Sequence, residues 1–376
     1  MGLSFRRALT SDAWALMALY QKVGSTFTDD PLFLQLDRLE SAIDDGEWVW
    51  LLGEREGAIT TMIACMIDSG QGLAKVSRIM IDPDRESAHE DLRASLRETL
   101  ARLAEHTAGI DVVYCTTLTV PSQFQEVTLQ EGFKILGIFP NAMTADTSRL
   151  NGLTAYYLRD TLATKRFSGF SVHETLKPFA DIACRELGLE SLTVAGGAGP
   201  VAEPSGASVS LEVVSAPNLV GRRFEKLSKR RKQMADFYPF QKPNLLLTDP
   251  NEELQIFARV MPANRFAALV AEDWLVPANP VEIYAKVIQL LRDQGMNYIE
   301  IINDAADTSG NHWILEAGFV PCCYIPAFKR QGDTRRDYVV FGRSFEHVCR
   351  PDPSTPKVFL DFFREHLKVE WRNYMG

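Results

Sequence analysis

Long apolar runs are missing from this sequence. Its most apolar stretches, such as Ala155 to Leu158 and Phe266 to Val270, fall far short of the ~20 residues a membrane helix needs. The amino terminus, Met1 to Arg7, has no apolar signal core. Cysteine is sparse and unpaired in sequence: Cys65, Cys115, Cys184, Cys322, Cys323 and Cys349 form no C-x-x-C and mostly sit in apolar runs, which reads as buried reduced thiols. The 6 histidines are scattered without ligand spacing, so no metal site is expected. Positive charge is also in deficit. With Lys+Arg 40 against Asp+Glu 49, the net charge of −9 opposes general affinity for nucleic acid or an anionic membrane. Together these absences lead to the expectation of a cytoplasmic protein with a mostly acidic surface and no membrane partner.

What is present is ordinary globular material, 46% hydrophobic and 24% charged, over 376 residues. That length suits two domains, each large enough for its own core. Leu3 to Leu9 reads as a strand, Thr10-Ser11-Asp12 as a helix cap, and Trp14, Leu16, Met17 and Leu19 as the apolar stripe of the helix that follows. Val209 to Ser215 opens the same way, with Ala216-Pro217-Asn218 as the cap and Leu219, Phe224 and Leu227 along the helix.

The rest of each half repeats too. Strands at Glu47 to Leu52, Ile59 to Asp68 and Ala74 to Ile81, a helix from Glu90 to His106 and a strand from Ile110 to Cys115 have counterparts. These are Asn244 to Thr248, Leu254 to Val260, Arg265 to Val276, Val281 to Gln294 and Tyr298 to Ile302. Gln130-Glu131-Gly132-Phe133 with Pro140 matches Glu316-Ala317-Gly318-Phe319 with Pro326, at a constant offset of 186. Tandem duplication is the simplest account. The expected domains are 1–160, a helical connector and flexible linker at 161–205 holding a helix from Val172 to Leu187 and the Ala195 to Pro200 glycine cluster, then 206–350, and a C-terminal helix at 351–376. The glycine cluster lacks the Lys-Ser/Thr of a phosphate loop and reads as linker. The tail, Pro356 to Tyr374, is amphipathic and is expected to pack on a domain or a second subunit, so a homodimer stays open.

A strand ending in aliphatic-x-Pro, a short loop, a helix, another strand and a helix ending in Gly-Phe resembles the GNAT N-acyltransferase superfamily. The residues are Val76 to Pro83 with Leu129 to Phe133 in the first half, and Ala267 to Pro277 with Ile314 to Phe319 in the second. The resemblance covers about 300 residues. It implies an α/β (α+β) protein of two tandem GNAT-like folds, each a mixed, mostly antiparallel sheet flanked by helices. It also implies acetyl-CoA or another acyl-CoA as co-substrate, with its pyrophosphate on the amides at a helix N-terminus. Carried onto this chain, the cofactor-binding residues are Ile79, Met80 and Ile81 of the strand and Arg85, Ser87, Ala88 and His89 of the loop. Both loops depart from the family's glycine-rich form. The first holds four acidic groups between Asp84 and Asp91; the second is only Ala278-Asn279-Pro280, whose proline removes a donor. Where many members carry an acidic Tyr, this chain has Thr128 and Ile314.

The candidate chemistry is N-acylation of a small amine or amino acid, with the first copy holding the acyl-CoA. Asp82 or Glu54 can act as base, Tyr114 as acid, and Glu272, beside Asp273 on a strand, as a further base or amine-binding group. The bland readings are a solvated strand end for Asp82, a core aromatic for Tyr114 and a groove ion pair with Arg265 or Lys329 for Glu272. His312 and Trp313 can line a pocket. Arg222, Arg223, Lys226, Lys229, Arg230, Arg231 and Lys232 form a basic run that is either a solvated helix face or a site for the 3′-phosphate of CoA, an acidic substrate or an RNA backbone. Two rival functions remain open: a catalytically inactive binding or scaffold protein, and a transferase on this fold that takes another donor such as aminoacyl-tRNA.

Overall fold

The computed structural model describes residues 2–23, 31–107, 109–119, 123–142, 150–196, 210–230, 235–236, 239–275, 277–347 and 351–375. The sequence expectations at 197–209, Arg231, Lys232, Val276 and Cys349 lie outside these. The first half runs β1 (Ser4–Arg7), α1 (Ala13–Val23), α2 (Pro31–Leu34), α3 (Leu36–Asp44), β2 (Trp48–Arg55), β3 (Ala58–Asp68), β4 (Leu73–Ile81), α4 (Ala88–Ala104), β5 (Val112–Leu118), α5 (Gln123–Gln130), β6 (Lys134–Phe139) and β7 (Asn151–Tyr157). A connector follows, with α6 (Thr161–Thr164), β8 (Ser171–Val172), α7 (Lys177–Leu187) and β9 (Thr193–Val194). The second half is β10 (Glu212–Val214), α8 (Pro217–Arg230), β11 (Ala235–Asp236), β12 (Leu245–Thr248), β13 (Leu254–Met261), β14 (Phe266–Trp274), α9 (Pro280–Asp293), β15 (Tyr298–Asp304), α10 (Thr308–Glu316), β16 (Val320–Gln331) and β17 (Thr334–Ser344), closed by α11 (Lys357–Met375).

The fold is α/β, with one large, mostly antiparallel sheet flanked by helices. Its order reads β1-β2-β3-β4-β5-β7-β6 and then β16-β17-β15-β14-β13-β12-β10. The second series mirrors the first, and each pairing keeps its sense: β4 with β5 and β14 with β15 are parallel, the rest of the path antiparallel. Irregularities recur as well. An extra residue, Ser77 on β4 and Val270 on β14, bulges each strand that leads to the helix. The halves meet where Gly137 of β6 pairs with Cys323 of β16, antiparallel and separated by the repeat offset of 186. A local two-fold relation between the halves passes through that pair. Any Cβ at Gly137 would overlap the Cys323 backbone, so glycine is required for the strands to approach.

Helices cover the sheet as their patterns dictate. Leu92, Leu96, Leu100 and Leu103 of α4 pack on Ile63, Cys65, Val76 and Val113, while Leu16 and Leu19 of α1 pack with Trp50 and Met80 on the opposite face. The tail packs back on its own chain: Phe359 and Phe362 of α11 are buried, the latter against Phe179 of α7 at 6.3 Å.

Across the junction lies a buried polar network. Asp111, 0% exposed, accepts from Lys165 Nζ at 2.6 Å, Arg330 Nη2 at 2.9 Å and Arg335 Nη1 at 3.1 Å. Arg335 is also fully buried and donates to the Ala327, Phe328 and Gln71 carbonyls. Beside it Asp337 takes Arg166, the Tyr324 hydroxyl and the Ala327 amide. Burial alone would raise the Asp111 carboxyl, but the bonds from Lys165 and Arg330 and the charge of Arg335 hold it below the ordinary range.

Removing one member of such a network strands the remaining buried charge. Asp111→Ala should therefore lower unfolding stability by about 3–5 kcal/mol in a denaturant titration at neutral pH. Because the folded carboxyl is depressed, its contribution exists above the unfolded value of about 3.9 and fades as pH falls below that. A variant within about 0.5 kcal/mol of the parent would refute the assignment.

Candidate functional site

Each half contains one place where neighbouring parallel strands part. β4 and β5 are paired only from Leu73↔Val112 to Lys75↔Tyr114, although the strands continue to Ile81 and Leu118. β14 and β15 are paired only from Phe266↔Tyr298 to Ala268↔Glu300. Beyond these three pairs each duo opens into a V, with the bulged strand on one side and the N-terminus of α4 or α9 at its mouth.

The two openings differ in what fills them. In the second half β11 enters, pairing Ala235 with Glu272 and Asp236 with Ala271 along the β14 edge that β15 has left. The first helical donors of α9 are also consumed, since Pro280 has no N–H and the Asn279 side chain accepts from Val281 N at 3.0 Å and Glu282 N at 3.4 Å. In the first half no described strand enters between β4 and β5. Thr116 of β5 is exposed there, whereas its counterpart Ile302 is 1% exposed. No side chain caps α4. Ser87 turns its hydroxyl to Asp91 Oδ2 at 3.0 Å instead, and among the described residues the His89 and Glu90 amides have no acceptor.

The acidic loop is less repulsive than its composition suggests. Asp91, 1% exposed, is clamped by Arg55, with Nη2–Oδ1 at 2.5 Å and Nε–Oδ2 at 2.9 Å. Lys22 bridges Asp82 at 2.6 Å and Asp84 at 3.0 Å. Glu86 and Glu90 remain exposed. Neither Lys22 nor Arg55 is near the loop in sequence, so this neutralisation was invisible to motif reading.

The expected site residues separate. Ile79, Met80 and Ile81 line β4, with Ile79 and Ile81 toward α4 and Met80 toward α1 and α3. Arg85 sits at the loop with Nε 3.6 Å from Asp82, Ala88 is buried, and Ser87 and His89 are half-buried at the start of α4. Asp82 is tied down: burial would raise its carboxyl, but Lys22 and the Asp84 amide hold it below the ordinary range. A carboxylate so stabilised is a poor proton acceptor, and the geometry gives Asp82 a loop-fixing role in place of the expected base. Tyr114 is 5% exposed, edge-on to Phe328 at 5.4 Å and near Phe240 at 6.1 Å, with Lys75 Nζ 5.9 Å from the ring centre. Burial pushes its phenol well above the usual range. That places Tyr114 in the packing between halves, at the apex of the first V, in place of the expected acid.

Glu272 stands apart from both. It lies in the second V, where the groove ion pair with Arg265 or Lys329 is replaced by Tyr284, whose hydroxyl is 3.2 Å from Oε2 and 3.3 Å from Oε1. Burial among Tyr284, Trp274 and their neighbours raises the carboxyl to about 8, against the hydrogen bond from Tyr284. At neutral pH it is largely protonated. Its neighbour Asp273 points to the other face and is buried.

The remaining candidates lie elsewhere. On α8 Arg223 is committed to Glu252 and Gln255, Arg222 bonds the Asn218 carbonyl, and Lys226, Lys229 and Arg230 form an exposed face. Among the described residues no His, Cys, Asp and Glu group could hold a metal ion, and no helix is long and apolar enough to cross a membrane. Two cavities, of about 510 Å³ beside Trp48 and Arg102 and about 630 Å³ beside His173 and His312, lie outside both openings.

Comparison with known proteins gives fold neighbours only. No family model and no curated protein matches the chain. Among solved structures it is similar to the ribosomal-protein-S18-alanine N-acetyltransferase from Escherichia coli, at 15% identity over 42% of this chain and 94% of that one, TM-score 0.36. It is similar also to an acetyltransferase of the GNAT family from Streptococcus pneumoniae, at 17% identity over 42% and 100%, TM-score 0.37. A third is the PaiA N-acetyltransferase from Thermoplasma acidophilum in complex with coenzyme A, at 13% identity over 42% and 100%, TM-score 0.33.

The Glu272 environment has a thermodynamic signature. An unfolded glutamate ionises near 4.3, so the folded state, which keeps the proton to about 8, loses stability as pH rises between those values and is level above them. Glu272→Gln should remove that slope, and at about pH 8.5 should exceed the parent by on the order of 2–4 kcal/mol in thermal or chemical unfolding. Parallel pH profiles for the two proteins would sink the assignment.

Proposed function

We propose that the chain is an acyl-CoA-dependent N-acyltransferase whose first half holds the donor and whose second half does not. The observation that carries this reading is the contrast between the two openings: an uncapped α4 with an unfilled V, against a capped α9 with β11 in place. A helix N-terminus with spare amides attracts phosphate oxygens, and parted strands leave room for an extended chain to pass between them. The His89 and Glu90 amides, with Arg85, would hold the pyrophosphate. Lys22 and Arg55 neutralise Asp84 and Asp91, two of the four loop carboxylates, while Glu86 and Glu90 stay exposed to solvent.

The donor supplies a thioester carbonyl. An amine attacks that carbon, the C–S bond breaks, and the amide keeps the acyl group while a proton leaves the attacking nitrogen. For this chain the work is positional and electrostatic: β4, bulged at Ser77, turns its free edge to the V, where a backbone amide can polarise the carbonyl. With Asp82 held by Lys22, Glu54 paired with Arg6 at 2.7 Å and Tyr114 buried, we assign proton removal to water in the V. Orientation alone provides large accelerations for such transfers. A small amine or amino acid is the acceptor class we propose.

Calorimetric titration with acetyl-CoA tests the reading. Micromolar binding is expected, weakened at least tenfold by Arg85→Glu and by His89→Pro, because proline in a first helical turn removes an amide donor without breaking the helix. Unchanged thermal stability of both variants would confine the effect to the site. Absence of binding to acetyl-CoA, longer acyl-CoAs and free CoA would overturn the proposal in favour of a binding or scaffold protein.

A further inference from the structure

The cavity of about 630 Å³ lies where the connector, α10, β17 and α11 converge, away from both V openings. Its size falls within the ~300–1,000 Å³ range of small-molecule sites. His173 and Thr175 come from the connector, His312 and Leu315 from α10, Arg343 from β17 and Val369 from α11; Glu174, Glu316, Arg372 and Asn373 stand at the rim.

The first half provides an internal control. Because Leu153 pairs with Gly137 and Val340 with Cys323, Arg343 occupies the position that Tyr156 holds in the first half. Tyr156 there packs its ring on Phe133 at 5.5 Å, in contact with the position of a Gly132 Cβ. In the second half Arg343 lies over Gly318, so closely that a Cβ on Gly318 would fall 2.8 Å from Nη1. Nη1 donates to the Gly318 carbonyl at 2.5 Å, while the buried Nε has no hydrogen-bond partner in the chain. An aromatic plug has been exchanged for a guanidinium whose donors are only partly used, an arrangement that is costly unless another acceptor arrives.

The electrostatics narrow the ligand. His173 and His312 stack at 5.7 Å, and burial together with this neighbour lowers the His173 value. Arg343 and Arg372 face Glu174 and Glu316 in this lining, and Glu370, which lines a neighbouring pocket with Arg343, adds a third carboxylate beside that guanidinium. A dianion such as phosphate gains little from a lining whose carboxylates match or outnumber its guanidinium groups. A molecule with one carboxylate and one ammonium matches it, and Leu315 and Val369 offer an apolar wall.

We propose that this cavity binds a small zwitterion of the amino-acid class, its carboxylate on Arg343 and Arg372, its ammonium toward Glu174 and Glu316, and an apolar side chain against Leu315 and Val369. The site is separate from the acyl-CoA opening and does not depend on that function.

The test is thermal unfolding and calorimetry of the full chain with leucine, valine, methionine and glycine, and with acetate and phosphate as controls, each to about 10 mM. The expected result is a concentration-dependent rise in Tm with an aliphatic amino acid, and affinity for acetate and phosphate at least about tenfold weaker. The rim variants Arg372→Gln and Glu316→Gln, both at exposed positions and so compatible with folding, should each weaken leucine binding several-fold; Arg343→Gln should abolish it. No shift with any amino acid, binding of acetate or phosphate as tight as leucine, or leucine binding unchanged in both rim variants would each overturn the proposal.

Discussion

Asp111 fixes how the two halves sit together. Its carboxylate is removed from water, and its compensating charges come from distant segments: Arg159 just after β7, Lys165 from the connector, Arg330 from the end of β16, Arg335 from the start of β17. A buried charge with several directional partners tolerates little displacement, because each lost bond leaves an ion in a low-dielectric interior. The β6–β16 contact, in contrast, registers a single pair, Gly137 with Cys323. That seam alone would permit rotation about the strand axis. With the long β16–β17 hairpin pinned to Asp111 and Gln71, it becomes a fixed joint, and Phe328 is carried onto Tyr114 at the apex of the first V.

Such a joint lets two similar halves diverge. With the second half held against the first, its own opening is filled by its own chain. β11 completes the edge of β14, Asn279 caps α9, and Glu272, half-buried, takes a hydrogen bond from Tyr284, its carboxyl raised to about 8. At the matching place in the first half is an isoleucine, Ile79, facing α4. The acid in the second half is therefore an addition that burial makes expensive as an ion and tolerable as a neutral hydrogen-bonding group.

Much of the architecture could be read from local pattern. The leucine spacing of α4, the apolar positions of α1 and α11 and the offset of 186 between Gly-Phe motifs each depend on short-range periodicity, which sequence displays directly. The site was harder because its decisive features are long-range. Four acidic residues between Asp84 and Asp91 read as repulsive to phosphate, yet Lys22 and Arg55 reach them from α1 and from the end of β2. Tyr114 read as a possible acid because nothing in its own strand reveals that Phe240 and Phe328, over a hundred residues on, enclose it. Asp111 sits beside a valine run with no local sign of its role, its partner Arg335 being 224 residues away.

The asymmetry also bears on where new chemistry arises in a repeated fold. Positions that correspond in sheet order and pairing can be compared one to one, so a difference in side chain there is free of the usual ambiguity about register. Thr116 against Ile302 distinguishes an accessible strand from a covered one; Tyr156 against Arg343 distinguishes a plug from a charge. In both pairs the more polar member lies where there is open space: Thr116 is exposed, and Arg343 lines the cavity beside α10. An isolated guanidinium beside a glycine is weak evidence for anything. The same guanidinium at a position whose counterpart in sheet order is a packed tyrosine, beside a cavity of about 630 Å³, is a departure that packing alone does not account for.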